Sequence, residues 1–132
     1  MFGKKKKQTQ EVLRAQIQTL IGGNTTIEGV VHFSGGLHVV GQVNGNVESS
    51  DVDSLLIVNE GALVKGDVKV SHLIVNGQID GNVYVNGKVE LFDRARINGD
   101  VHYNLLELPV GAEVNGNLIR NPQPQDTDSD GL

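Results

Sequence analysis

The sequence predicts an all-β fold, a parallel β-helix (a solenoid) of about six coils with three short faces, flanked by disordered tails. Three observations predict it: a Val-x-Gly-x-Val unit recurs, apolar and polar residues alternate between its copies, and large aromatic residues are scarce. Glycine provides 17 of the 132 residues, whereas Phe, Trp and Tyr together make up 4%. A narrow coil needs many tight bends and has little room for large rings, so both figures favour this fold.

The repeated unit consists of an apolar residue, any residue, Gly, a fourth residue that is usually Asn or Asp, and a second apolar residue. Its copies, of which the first is the weakest, are Ile27–Val31, Val43–Val47, Val64–Val68, Ile79–Val83, Ile97–Val101 and Val114–Leu118. The glycines of the five clear copies are 21, 15, 18 and 17 residues apart. A repeat of about 18 residues is too short for a propeller blade or a helical hairpin, and it matches one coil of three short strands.

The segments between the bends alternate apolar and polar residues, which is typical of strands with one buried face. Asn and Gly at the bends accept the left-handed backbone that such turns need. The predicted inward side chains are Val43, Val47, Val64, Val68, Ile79, Val83, Ile97, Val101, Val114 and Leu118. The predicted outward side chains are Asn44, Lys65, Asp80, Asn98 and Asn115.

An antiparallel β-sandwich is the structural alternative, because it also uses short alternating strands. Asn76-Gly77 and Asn86-Gly87 have the composition of two-residue hairpin turns. A Gly-Asn/Asp-Val unit at near-constant spacing is not typical of a sandwich, so the sequence favours the β-helix.

The charges divide the chain into three predicted parts. Residues 1–20 form a tail of net charge +4, residues 21–120 form the β-helix with net charge −6, and residues 121–132 form an acidic tail of −3. The acidic body disfavours a nucleic-acid partner, because the phosphate backbone would be repelled. In and just after the first tail, apolar residues recur at helical spacing, so a short helix and a flexible arm both stay open: Leu13, Ile17, Leu20 and Ile21.

The N-terminal tip combines two apolar residues with four lysines: Met1, Phe2, Lys4, Lys5, Lys6 and Lys7. Apolar side chains enter a lipid interface, and each lysine near an anionic leaflet contributes about 1 kcal/mol. We therefore expect a weak membrane anchor that polymerisation strengthens by avidity, with a solvated charge run as the alternative. No transmembrane helix or secretory signal is predicted, so we expect a cytoplasmic chain.

No catalytic, cofactor or metal site is predicted. The four histidines, His32, His38, His72 and His102, are scattered along the repeats without the spacing of metal ligands. The chain has no Cys and no Gly-x-x-x-x-Gly-Lys loop, so neither thiolate chemistry nor nucleotide binding is expected. A hexapeptide-repeat acyltransferase is the enzymatic alternative, since those β-helices use a catalytic His, but their regular six-residue repeat is not found here.

Two acidic clusters have the composition of cation sites. Asp51 and Asp53 flank one residue in a polar turn, where solvated carboxylates are the simpler interpretation. The run Asp126-x-Asp128-x-Asp130 begins like an EF-hand loop, but the Glu ligand of its last position is missing. An acidic disordered tail is therefore the better interpretation of this run.

The repeat region, about residues 19–120, resembles the bactofilins, which are bacterial cytoskeletal proteins. The resemblance lies in Ile21-Gly22 followed by Ile27-Glu28-Gly29, in the block Gly41-x-Val43-x-Gly45-x-Val47, and in the Met-Phe-x-Lys-Lys start. It implies a right-handed parallel β-helix that forms non-polar filaments without nucleotide, through head-to-head and tail-to-tail contacts. It further implies a membrane-targeting tip and a position on the inner face of the bacterial membrane. There the protein would scaffold cell-wall enzymes and influence cell shape.

The ends of the predicted solenoid are candidate interfaces, because they expose unpaired backbone groups and the apolar interior. The N-terminal coil offers Ile21, Ile27, Val31 and Phe33. The C-terminal coil offers Leu106, Leu108, Val110, Val114 and Leu118. The expected partners are a second copy of the chain, anionic inner-membrane lipid and cell-wall synthesis or hydrolysis proteins. A β-helix scaffold that binds a cell-wall partner without forming filaments is the alternative function.

Overall fold

A computed structural model describes residues 17–122 as eighteen β-strands arranged in six coils of three strands each. Coil 1 contains β1 (Ile17–Ile21), β2 (Thr26–Glu28) and β3 (Val31–His32), and coil 2 contains β4 (Gly36–Val39), β5 (Gln42–Asn44) and β6 (Val47–Glu48). Coil 3 contains β7 (Leu55–Val58), β8 (Leu63–Lys65) and β9 (Val68–Val70), and coil 4 contains β10 (His72–Val75), β11 (Gln78–Asp80) and β12 (Val83–Val85). Coil 5 contains β13 (Lys88–Leu91), β14 (Arg96–Asn98) and β15 (Val101–Tyr103), and coil 6 contains β16 (Leu105–Glu107), β17 (Glu113–Val114) and β18 (Leu118–Arg120).

Equivalent strands of successive coils pair in parallel and form three six-stranded sheets. Sheet A collects the first strand of every coil, sheet B the second and sheet C the third. The predicted all-β solenoid of about six coils and three faces is thereby confirmed, and the antiparallel sandwich is wrong, because every strand pair of residues 17–122 is parallel. The right hand of the coil stays an expectation from the resemblance.

The core consists of aliphatic columns that run along the solenoid axis. In coils 2 to 5 the eight predicted inward side chains are fully buried: Val43, Val47, Val64, Val68, Ile79, Val83, Ile97 and Val101. In coil 6 the pattern changes, because the described residues form no further coil over it. Val114 is half-buried there, and Leu118, predicted to be interior, is exposed.

The glycine of the repeated unit is required by close approach of successive coils. A Cβ at Gly45, Gly66, Gly81, Gly99 or Gly116 would lie well inside van der Waals distance of the preceding repeat glycine's carbonyl oxygen. The glycines therefore stack in one row at the corner between sheets B and C. This row brings the coils within hydrogen-bonding distance of each other.

Substituting Gly81 tests this explanation, because its φ is not positive and only the space for a side chain is at issue. We expect Gly81→Ala to lower the free energy of unfolding by about 3 kcal/mol, the upper range for overpacking against rigid backbone. Gly23→Ala is the matched control, since its Cβ would make an ordinary 3.7 Å contact with Val40. Denaturant unfolding followed by circular dichroism measures both, and equal stabilities of the two variants would contradict the steric role.

The Asn or Asp after the glycine forms a ladder that the sequence did not reveal. The backbone N–H of Asp67 donates to the side-chain oxygen of Asn46 at 2.8 Å, and Asn82 N–H donates to Asp67 at 2.9 Å. Asp100 N–H donates to Asn82 at 3.0 Å, and Asn117 N–H donates to Asp100 at 2.9 Å. Each of these side chains thus accepts a backbone hydrogen bond from the next coil, which ties coils 2 to 6 together.

The uneven glycine spacing comes from two variable corners. The longest interval, 21 residues, contains both the loop 49–54 between sheets C and A and a full turn at residues 59–62 between sheets A and B. The shortest interval, 15 residues, lacks that loop, and its turn between sheets A and B consists of Asn76-Gly77 alone.

The structured region begins earlier than residue 21, since Ile17, Leu20 and Ile21 lie in β1. The helical alternative is therefore wrong for Ile17–Ile21.

Candidate self-assembly surfaces

The C-terminal end of the solenoid exposes the ends of the core columns. Leu106 and Val114 are half-buried and packed against the core, while Leu108 is 49% exposed and Leu118 43% exposed. Strand pairing places Leu118 directly after Val101, which is completely buried. Leu118 is more exposed than Val101 because of its position: coil 6 covers Val101, and a further coil would be needed to cover Leu118 in the same way.

The N-terminal end exposes a second set of core side chains to a smaller extent. Ile27, Val31 and Phe33 are half-buried and pack against the core. Ile21, predicted for the same surface, is already 7% exposed within its own coil. The structure therefore brings three of the four predicted residues to this end as partly exposed surface, whereas Ile21 is buried.

Val110 differs from the other predicted residues of the C-terminal coil. It is 96% exposed and lies in the turn between β16 and β17, outside the core columns. Sequence analysis also missed four exposed apolar residues near the ends, which are Leu20, Val30, Leu105 and Ile119. Val30 follows the glycine of the first copy, where later copies have Asn or Asp, and this substitution was the available signal.

Unpaired strand edges accompany the exposed side chains. Among the described residues, the three strands of coil 1 and the three strands of coil 6 each have a neighbour on one side only. Their outer N–H and C=O groups are available to a further strand. Each end therefore offers three short parallel edges around an apolar centre, which is the surface that an added coil requires.

A second ladder lies on the outer surface of sheet B. Asn115 Nδ2 donates to Asn98 Oδ1 at 2.8 Å, and Asn98 Nδ2 donates to Asp80 Oδ1 at 2.7 Å. Gln78 Nε2 also donates to Asp80, at 2.9 Å. The hydrogen bonds from Gln78 and Asn98 stabilise the carboxylate and lower the pKa of Asp80 below its ordinary value of 3.8.

The lowered pKa of Asp80 predicts a pH dependence with a definite sign. Its contribution to stability is present above the ordinary pKa of 3.8 and is lost as pH falls through the lower pKa of the folded state. We expect Asp80→Asn, which cannot titrate, to show a shallower loss of Tm than the unaltered chain as the pH falls from about 3.8 through the lower pKa of folded Asp80. Asp53→Asn, at an exposed position, is the control, and an Asp80 variant with the same acid slope as this control would contradict the effect.

The other polar candidates lie on different coils in the part of the chain that the structure describes. No group of three or more metal-ligating side chains comes together between residues 17 and 122. His102 stacks on Tyr84 with ring centroids 4.7 Å apart, and His32 lies 3.8 Å from Glu48. Asp51, a predicted loop carboxylate, accepts the N–H of Gly35 at 2.8 Å and so fastens the loop.

Three of the sequence predictions lie outside the described residues. These are the membrane-targeting tip from Met1 to Lys7, the acidic run at residues 126–130 and most of the predicted terminal tails. Within residues 17–122, no helix is long and apolar enough to cross a membrane.

Residues 17–122 thus define a β-solenoid protein whose terminal strands, among these residues, are paired on one side only. The family model of the bactofilins, described as polymer-forming and cytoskeletal, matches residues 19–119. The chain therefore belongs to the bactofilin family and has a structural, cytoskeletal role.

A curated relative agrees with this assignment. The chain is similar to bactofilin BacO of Myxococcus xanthus, with 28% identity over 100 residues, which cover 76% of this chain and 77% of the relative. No solved structure matches the chain.

Proposed function

We propose that this bactofilin polymerises end to end by continuing its three sheets from one molecule into the next, without nucleotide. The observation that carries the proposal is the contrast along the core columns. Val101 is completely buried because coil 6 covers it, whereas Leu118, next in the same column, is 43% exposed. A neighbouring molecule would cover Leu118 as coil 6 covers Val101.

The contact combines apolar burial with strand pairing. Covering a leucine side chain stabilises a contact by about 2 kcal/mol, and this end has Leu106, Leu108 and Leu118 at its surface. The three open strand edges add backbone hydrogen bonds whose groups otherwise face water. Neither contribution involves a phosphate-binding element, so nucleotide has no part in the contact.

The proposed filaments are non-polar and alternate two kinds of contact. The two ends have different side chains, with leucines at the C-terminal end and Ile27, Val31 and Phe33 at the N-terminal end. Each end can meet a second copy of itself through a two-fold contact, and two such contacts on opposite ends produce an open filament.

The proposed location is the cytoplasmic face of the bacterial inner membrane. The basic tip supplies four lysines, and a filament presents many tips together, so weak individual attachments to anionic lipid add up. On this surface the filament would scaffold cell-wall synthesis or hydrolysis proteins and so influence cell shape.

Negative-stain electron microscopy of the purified full chain, with nucleotide removed enzymatically, tests the proposal. Filaments that persist over a range of salt and protein concentration are expected, because apolar burial resists screening by salt. Dispersed single molecules throughout that range would reject end-to-end assembly and favour the non-filamentous scaffold.

A further inference from the structure

The outer surface of sheet A differs in character from the outer surface of sheet B. Strand pairing aligns one outward residue per coil in a single column: Leu20, His38, Ile57, Ile74, Glu90 and Glu107. The matching column on sheet B is polar throughout: Glu28, Asn44, Lys65, Asp80, Asn98 and Asn115. The sheet A column is thus apolar over most of coils 1 to 4 and acidic in coils 5 and 6.

The signal for this surface was present in the sequence. Strict alternation would place polar residues at the outward positions, but Leu55–Val58 and Leu73–Val75 are unbroken apolar runs. Ile57 in the first run and Ile74 in the second occupy outward positions, and both are half-buried. Leu20 is 62% exposed at the start of the column.

Shallow hollows connect along this surface into one track. A hollow of about 200 Å³ is lined by Ile57, Ile74 and Phe92, and one of about 180 Å³ is lined by Ile74, Lys88 and Glu90. A larger hollow of about 610 Å³ follows at coils 5 and 6, where Glu90 and Phe92 meet Glu107. Because neighbouring hollows share lining residues, the track runs from the apolar part of the surface to the acidic part.

Residues 1–16 have the matching order of side chains. Counted back from Ile17, where β1 begins on sheet A, the apolar pair Leu13 and Val12 comes before the lysine run at residues 4–7, and Arg14 and Glu11 flank that pair. Counted from coil 1, the track first has apolar residues and then carboxylates. If the segment follows the track, its apolar side chains contact the apolar part of the track and its lysines lie beside the carboxylates.

The distances allow this arrangement. Ten residues separate Lys7 from Ile17, and an extended chain covers roughly 3.3 Å per residue, or about 33 Å in total. Coil 6 lies five coils beyond coil 1, which is about 24 Å at the spacing of paired strands. The lysines can thus reach the acidic part with slack, while Leu13 lies within reach of coil 3.

The charges favour a basic peptide over a lipid surface at this position. Lys88 Nζ pairs with Glu107 at 2.9 Å, but within residues 17–122 Glu90 and Asp93 form no salt bridge. Anionic lipid would be repelled by these carboxylates, whereas residues 1–16, with five basic groups and one acidic group, would be attracted.

We propose that residues 1–16 fold back along the outer surface of sheet A of their own chain, with Leu13 against the apolar coils and the lysine run beside Glu90. In this docked state the lysines are held away from lipid. Docking and membrane attachment therefore compete for the same residues. The competition rests on the proposed membrane attachment, but the docking itself does not.

Cysteine cross-linking tests the docking directly, because the chain has no Cys of its own. Gln8→Cys is combined with His72→Cys on sheet A, or with Tyr84→Cys on sheet C, both in coil 4 and both exposed. Under mild oxidation of the full chain, we expect the first pair to form an intramolecular disulfide at least ten times faster than the second. Equal rates, or disulfides only between molecules, would overturn the proposal.

A vesicle experiment tests the competition. Glu90→Gln and Glu60→Gln change the net charge equally, but only Glu90 lines the track. With vesicles that contain phosphatidylglycerol, we expect Glu90→Gln to bind severalfold more tightly than Glu60→Gln, and equal binding of the two would overturn the competition. If no variant binds vesicles, the proposed membrane attachment fails, and the cross-linking result still decides the docking.

Discussion

Leu118→Arg is expected to abolish filaments at concentrations where the unaltered chain assembles. Because the proposed two-fold contact contains Leu118 of both molecules, the substitution removes the burial of two leucines, about 4 kcal/mol, which corresponds to a rise of roughly a thousandfold in the dissociation constant of that contact. A guanidinium placed in the apolar centre of the contact adds a desolvation penalty, so the total effect is larger. Pelleting assays and negative-stain microscopy over a concentration series measure it.

Ile119→Arg is the matched control for this prediction. Ile119 is the next residue of the same strand, is 38% exposed, and aligns with His102 on the outside of sheet C rather than with the core. It should leave the filaments intact. Both variants should keep the circular dichroism spectrum of the unaltered chain, since residue 118 is already open to solvent. If Leu118→Arg formed filaments of normal length, the proposed role of coil 6 in the contact would be wrong.

Removal of residues 1–8 is expected to abolish binding to anionic vesicles and to leave assembly unchanged. Four lysines at about 1 kcal/mol each contribute roughly 4 kcal/mol to attachment of one chain, or about a thousandfold in affinity. Filaments should persist because β1 begins only at Ile17. Co-sedimentation with vesicles and microscopy of the same samples measure the two properties.

A conservative variant separates charge from sequence in that experiment. Replacing the four lysines by arginines keeps the charge and should retain vesicle binding, whereas replacing them by glutamines should lose most of it. Vesicle binding that survives the deletion would reject the anchor. Loss of filaments on deletion would place part of the end contact before β1.

The fold was predictable because one short unit repeats at the interval of one coil. Each copy places apolar residues such as Val43 and Val47 on either side of a glycine, and both are completely buried. Stacking equivalent copies then gives three parallel sheets without further information. The acidic body and the basic tip were likewise visible in the sequence, since charge needs no fold to be counted.

The remaining features depend on which residues meet across coils. The Asn and Asp residues suited turns, but Asp67 and Asn82 lie 15 residues apart in sequence and are joined only when coils stack. Val110 looked like an interface residue by composition, although the turn between β16 and β17 carries it outside the core. Ile17 matched a helical spacing, yet pairing with Gly36 of β4 draws it into a strand.

The repeat along the filament axis is the most direct test of the account. Fibre diffraction or cryo-electron microscopy of the assembled full chain measures it. If sheets continue through every contact, strands lie across the axis with a spacing of about 4.8 Å, and each molecule adds about 29 Å to the length. Alternating contacts would double the repeat to about 58 Å. Filaments whose strands run along the axis, or whose molecules join side by side, would contradict end-to-end assembly.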